Sequence, residues 1–102
     1  MSVTYRIDEQ TSQVTIAIGG RFDYSVHQEF LNAFRNIDSK TMTYFVDLSN
    51  TSYLDSSALG MLLILREHAG TGVAPVTISG YGENVGKILK IANFDKLFTF
   101  KP

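Results

Sequence analysis

The spacing of apolar residues changes period along the chain, and that change limits the possible folds more than any other feature. Val3, Tyr5 and Ile7 alternate with polar residues, and after "DEQTS" the alternation resumes at Val14, Ile16 and Ile18. A period of two is that of half-buried strands, and the turn-forming residues between the two runs predict a hairpin. "GGRFD" then breaks the pattern. From Val26 the apolar residues Val26, Phe30, Phe34 and Ile37 fall three or four apart, with Leu31 beside them, which places them on one face of a helix. Ser25, followed three residues later by Gln28, predicts a capping box at the start of that helix.

Strands and helices then alternate. "MTYFVDL", Met42 to Leu48, is rich in β-branched and aromatic residues and alternates only weakly, as expected of a central strand covered on both faces. "SNTSYLD" reads as a loop, and a helix follows from about Ser57 to His68, closed by Ala69 and Gly70. "VAPVTISG" gives a fourth strand. Glu83 to about Ala92 gives a third helix, with Val85, Ile88, Leu89 and Ala92 on its inner face, and "KLFTF" gives a last short strand. The order β-β-α-β-α-β-α-β implies an α/β fold, a mixed and mostly parallel sheet of about five strands packed against helices, because parallel neighbours need crossovers. At 102 residues the chain suits one domain, residues 1–102, with a single core.

The remaining bulk properties exclude more than they select. Nine basic and ten acidic residues leave a formal net charge of −1, and neither sign forms a block, so nucleic acid and anionic membrane are not expected partners. Without cysteine there are no disulfides, thiolate nucleophiles or sulfur-ligated zinc sites. The N-terminus "MSVTYRIDEQ" has no signal-peptide pattern, and the run "MLLIL" is far short of the ~20 residues that span a bilayer, so a cytoplasmic location is expected.

Three groups of residues invite a chemical reading. Gly80, Gly82 and Gly86 in "GYGENVG" lie between a strand and a helix, but the dinucleotide fingerprint needs glycine where Val85 stands, so a strand-to-helix turn is expected and no cofactor. His27 and His68 lie on different helices without a carboxylate or second imidazole at metal-ligand spacing, so no metal is expected. The third group is "YLDSSALGMLLIL", Tyr53 to Leu65. A hydrolytic serine would need the G-x-S-x-G elbow, and "LDSSALG" lacks the first glycine.

Asp55, Ser56 and Ser57 are all good N-cap types, yet two adjacent hydroxyls exceed what one cap requires. The helix behind them is apolar nearly all round: Leu59, Leu62 and Leu63 can form one inward stripe while Met61, Ile64 and Leu65 lie at other angles. A helix start also tolerates a phosphate well, through free N–H groups and the positive end of the dipole.

At these residues the sequence resembles a known family. "FVDLSNTSYLDSSALGMLLIL" is similar to the signature of the STAS domain, shared by sulphate transporters and anti-sigma factor antagonists, in which a strand ends in D-L and D-S-S/T-G-L-G opens a helix. "GGRFDYSVHQEF" resembles the family's G-x-L-D segment, and "ILKIANFDKLFTF" its last helix, turn and edge strand, so the resemblance covers essentially the whole chain. Ala58 stands where the family usually has glycine, and Phe22 where it usually has leucine.

The resemblance implies a non-catalytic partner-switching regulator, an anti-sigma factor antagonist. Its phosphorylated serine would be Ser56, modified by an anti-sigma factor that is also a serine kinase and restored by a PP2C-type phosphatase. It further implies a partner-binding surface of Phe22, Asp23, Tyr24, Ser25, Tyr53, Asp55, Ser56, Ser57, Ala58 and Met61. The alternative within the family is a stand-alone phospho-switch whose target is not a sigma factor, such as biofilm formation or a second-messenger enzyme. A nucleotide-binding STAS protein, a transporter-attached domain and a small hydrolase rank below these.

Overall fold

The computed structural model describes residues 2–37, 42–70 and 76–102. Strand β1 (Val3–Asp8) and strand β2 (Gln13–Ile18) form the expected antiparallel hairpin. Its turn is held by Asp8, whose Oδ1 accepts from the Gln10 and Thr11 amides at 3.0 and 3.3 Å. Short strand β3 (Gly20–Phe22), helix α1 (His27–Asn32) and strand β4 (Thr43–Asp47) follow. Then come β5 (Thr51–Leu54), α2 (Ser56–Ala69), β6 (Val76–Ser79), α3 (Glu83–Ile91) and β7 (Thr99–Lys101).

The main sheet has the order β1-β2-β4-β6-β7, and every pairing after the hairpin is parallel. Register aligns its apolar rows: Val14 faces Tyr44, which faces Val76, and Ile16 faces Val46, which faces Ile78. All of these side chains are buried, and Phe30, Met61, Leu62, Leu65, Val85 and Leu89 from the helices, with Phe34 from the turn after α1, complete the same core. The other face is wetter. β4 is central, but Phe45 and Asp47 are only half-buried and Thr43 is exposed, so the expectation of cover on both faces gives way to cover on one.

Several elements differ from the sequence reading. The segment expected as a loop after Leu48 contains β5, which pairs in parallel with β3 as a separate two-stranded ribbon. The Ser25–Gln28 capping box does not form. A 3₁₀ turn over Tyr24–Val26 precedes α1, and its cap is Asp23, whose side chain accepts from the Ser25 amide; Gln28 Nε2 instead donates to Asn32 Oδ1 at 3.1 Å. On α2 the inward set is Ala58, Met61, Leu62 and Leu65, spaced three and four apart, while Leu63 and Ile64 are exposed. The first part of "VAPVTISG", Val73 to Pro75, lies outside the described residues.

Two helix ends follow simple rules. Gly70 ends α2 at φ 92°, where glycine carries no Cβ penalty, and its amide donates to the Arg66 carbonyl at 3.1 Å. Arg66 Nε donates to the Leu97 carbonyl at 3.1 Å and so ties the same helix to the turn before β7.

The packing makes a direct prediction. Leu62 is fully buried in the shared core of sheet and helices. Leu62→Ala should lower unfolding stability by about 2–5 kcal/mol, read from the denaturant midpoint. Leu63→Ala, at a 42 % exposed position one residue on, should cost far less; equal losses would contradict the assigned helix face.

Candidate functional site

The ribbon of β3 and β5 is built where the chain leaves the main sheet. Gly20, at φ 80°, donates its amide to the Asn50 carbonyl at 2.9 Å, and the buried Thr51 hydroxyl donates to the Ile18 carbonyl at 2.7 Å. Phe22 faces Leu54 across the ribbon, and both are buried. Arg21 faces Tyr53 on the exposed side, its guanidinium carbon 4.4 Å from the ring centroid, the geometry of a cation–π contact.

Beyond this ladder the two strands each continue into an aspartate, Asp23 after Phe22 and Asp55 after Leu54. Asp23 is saturated with donors. Its Oδ1 accepts from the Ser25 hydroxyl in a short bond and from the Ser25 amide at 3.0 Å, and its Oδ2 accepts from Arg21 Nε at 3.2 Å. The Ser25 hydroxyl first, then the Ser25 amide and Arg21, hold the Asp23 carboxyl below the ordinary aspartate value. A depressed carboxyl supports this turn above the ordinary aspartate range, and the support fades as pH falls through the lowered value. Next to it Tyr24, 67 % exposed, stacks on His27 with centroids 4.7 Å apart.

Asp55 has extended backbone and caps α2, its Oδ1 accepting from the Ala58 amide at 3.2 Å. That division of labour matters for the serines. Ser56 is exposed and Ser57 half-buried, and neither hydroxyl hydrogen-bonds to the described residues. Ser56 begins an exposed strip that continues through Gly60, Leu63, Ile64 and Glu67, the positions one helix face requires. A Cβ added at Gly60 would meet nothing within 4 Å, so the strip is open at its middle.

The residues expected at a partner surface therefore separate. Asp23, Tyr24, Ser25, Tyr53 and Ser56 lie at or near the surface around the start of α2, with Asp55 and Ser57 half-buried among them. Phe22, Ala58 and Met61 are buried at 0 %, 0 % and 1 % exposure, so their side chains support that surface from beneath and cannot be its contacts. Also exposed around the start and along the outer face of α2 are Arg21, Gly60, Leu63 and Ile64, with His27 half-buried. The helical strip was open to detection from the spacing Ser56, Gly60, Leu63; the Arg21–Tyr53 contact needs the β3/β5 pairing.

The other candidates take ordinary roles. Gly80, at φ 73°, turns the chain out of β6, and Gly82 sits at the start of α3. Gly86 is required by packing: a Cβ there would lie 2.8 Å from Tyr81 Cδ1. His68 is held at the end of α2, where Nε2 lies 2.9 Å from the Ile37 carbonyl oxygen and the ring packs by Phe34. Among the described residues no helix is long and apolar enough to cross a membrane.

The family model described as Mlab, STAS domain matches residues 5–99. A STAS-domain containing protein of Pseudomonas aeruginosa (strain UCBPP-PA14) is 45 % identical over 98 residues, covering 96 % of this chain and 97 % of that protein. Among solved structures, an anti-sigma factor antagonist from Mycobacterium paratuberculosis superposes with a TM-score of 0.76 at 18 % identity, over 99 % of this chain and 86 % of that one. The anti-sigma factor antagonist SpoIIAA in its unphosphorylated form gives 0.69 at 14 % identity, over 98 % of this chain and 87 % of that one. The phosphorylated form of the Bacillus cell fate determinant SpoIIAA gives 0.60 at 15 % identity, over 97 % and 92 %. At these identities the solved structures share the fold, a mixed α/β domain with a mostly parallel five-stranded sheet and three helices.

Two measurements check the site as described. Ser25→Ala removes the leading cause of the lowered Asp23 value, so NMR titration of that carboxyl should move up towards an ordinary aspartate; no movement would contradict the assignment. Asp55→Ala should cost about 1 kcal/mol of unfolding stability through loss of the α2 cap.

Proposed function

The chain belongs to the STAS domain family, and on that premise we propose that it is a non-catalytic, phosphorylation-controlled binding protein of the anti-sigma factor antagonist type. Ser56 is the phosphate acceptor. One observation carries the choice: Asp55 caps α2, which leaves the Ser56 hydroxyl exposed at the first residue of the helix with no structural bond to break. Ser57 is half-buried one residue on, where a phosphate would have to be desolvated. That an anti-sigma factor antagonist of the same fold has been solved both without and with its phosphate fits this reading.

The partner is an anti-sigma factor with serine kinase activity, reversed by a PP2C-type phosphatase. It docks on the strip from Ser56 through Gly60 to Leu63 and Ile64, flanked by Tyr24, Tyr53 and Asp23. The exposed aliphatic pair supplies apolar area, and bare Gly60 allows the partner's backbone to come close. A phosphate on Ser56 adds about −1.5 to −2 charges at the head of this strip, beside Asp55 and Asp23. Desolvating that dianion against carboxylates opposes docking, and each ~1.4 kcal/mol of opposition lowers affinity tenfold. No refolding is required.

Titration against the purified kinase partner tests the switch. Ser56→Ala should bind as tightly as the unmodified protein and Ser56→Asp at least tenfold more weakly; equal affinities would sink the proposal. Intact-mass measurement after incubation with kinase and ATP should show one phosphate on the wild type and none on Ser56→Ala. Partner capture then separates control of a sigma factor from control of another target. Gly60→Ala should stabilise the fold by roughly 0.5–1 kcal/mol while weakening partner binding; a gain in stability with unchanged affinity would move the docking strip elsewhere.

A further inference from the structure

The exposed side of the β3/β5 ribbon holds one cation, Arg21, in an arrangement that the docking strip does not explain. Its guanidinium lies over the Tyr53 ring while Nε bonds Asp23 Oδ2. Arg21 is two-thirds exposed at its side chain, so this contact with Asp23 is a weak surface ion pair that a stronger anion can displace.

β3 and β5 run parallel, so forward along one is forward along the other. Arg21 Nε bonds the carboxylate of Asp23, two residues further along its own strand. Across the ribbon Tyr53 is level with Arg21, and Ser56 lies three residues further on, at most about 10 Å along the chain. An arginine side chain and a phosphoserine side chain, extended toward each other, can span a separation of that size.

We propose that Arg21 is the intramolecular partner of a phosphate on Ser56, and that it leaves Asp23 and the Tyr53 ring when the phosphate arrives. The inference rests on Ser56 being the acceptor. A guanidinium pairs with a dianionic phosphate in a bidentate fork, which outcompetes one Nε bond to a monoanionic carboxylate. The exchange changes the docking surface twice: the Tyr53 face is uncovered, and Asp23 loses its cation. A partner fitted to the unmodified surface then meets a different shape as well as added charge.

The test installs phosphoserine at position 56 by genetic-code expansion, so that no kinase is needed, and titrates the phosphate by ³¹P NMR. With Arg21 present the second proton should leave at a pH lower by about one than in Arg21→Gln, the size of effect a close opposite charge produces. Arg21→Lys should fall between them. In an Asp23→Asn background the difference between Arg21 and Gln should persist. In the unmodified protein the Arg21 side-chain protons should be displaced by the Tyr53 ring current, and phosphorylation should return them towards ordinary values. Equal midpoints in wild type and Arg21→Gln, or a difference that vanishes with Asp23→Asn, would overturn the proposal. Because the phosphate is installed directly, a kinase that ignores Ser56 leaves this result standing, and equal midpoints leave the acceptor standing.

Discussion

Parallel strand pairing is the constraint on which the rest of the molecule depends. β2, β4, β6 and β7 run the same way, so the chain must return from the carboxyl edge to the amino edge before each new strand. Every crossover therefore begins at the carboxyl edge. The first two begin with short extended segments, β3 and β5, and because both leave the sheet at that edge they pair with each other. The site is thus a by-product of topology: the ribbon, the two aspartates beyond it and the start of α2 gather there because two crossovers start side by side.

That arrangement frees the first residue of α2 from capping. A helix start needs an oxygen to accept from its free amides, and Asp55 supplies it from just outside the helix. The next residue can then be a serine with no structural duty. Asp23 plays the matching role on the neighbouring strand, where it caps a 3₁₀ turn and is held ionised by Ser25 and Arg21. Two capped turns lie side by side, with the exposed Ser56 hydroxyl at their edge.

Much of the fold was legible in the sequence because apolar periodicity is a local signal. Val14, Ile16 and Ile18 announced a strand and Val26, Phe30 and Phe34 a helix; all six are buried, but α1 covers only His27–Asn32, so Val26 sits in the 3₁₀ turn before it and Phe34 beyond its end. β3 and β5 were not legible: three and four residues are too few to show a period, and their pairing joins segments about thirty residues apart. The orientation of α2 failed for a different reason. With aliphatic residues all round, the helical angle says which residues share a face but not which face meets the sheet, so Met61 and Leu63 exchanged places between expectation and structure. The choice of Asp23 over Ser25 as cap was equally hidden, since both are good caps and only the 3₁₀ turn decides between them.

The bond from Thr51 to the Ile18 carbonyl, 33 residues away in sequence, has a consequence for the order in which this molecule can come into being. Contacts that close long loops form late, after the loop entropy has been overcome. The ribbon, and with it the setting of Ser56, exists only once the non-local pairing of the sheet is in place. A nascent or partly unfolded chain displays the same serine in the same sequence without the surface around it. On the proposed function, an enzyme or partner that reads that surface would respond to finished molecules, so a signal passed through this site would also report that the protein carrying it has folded.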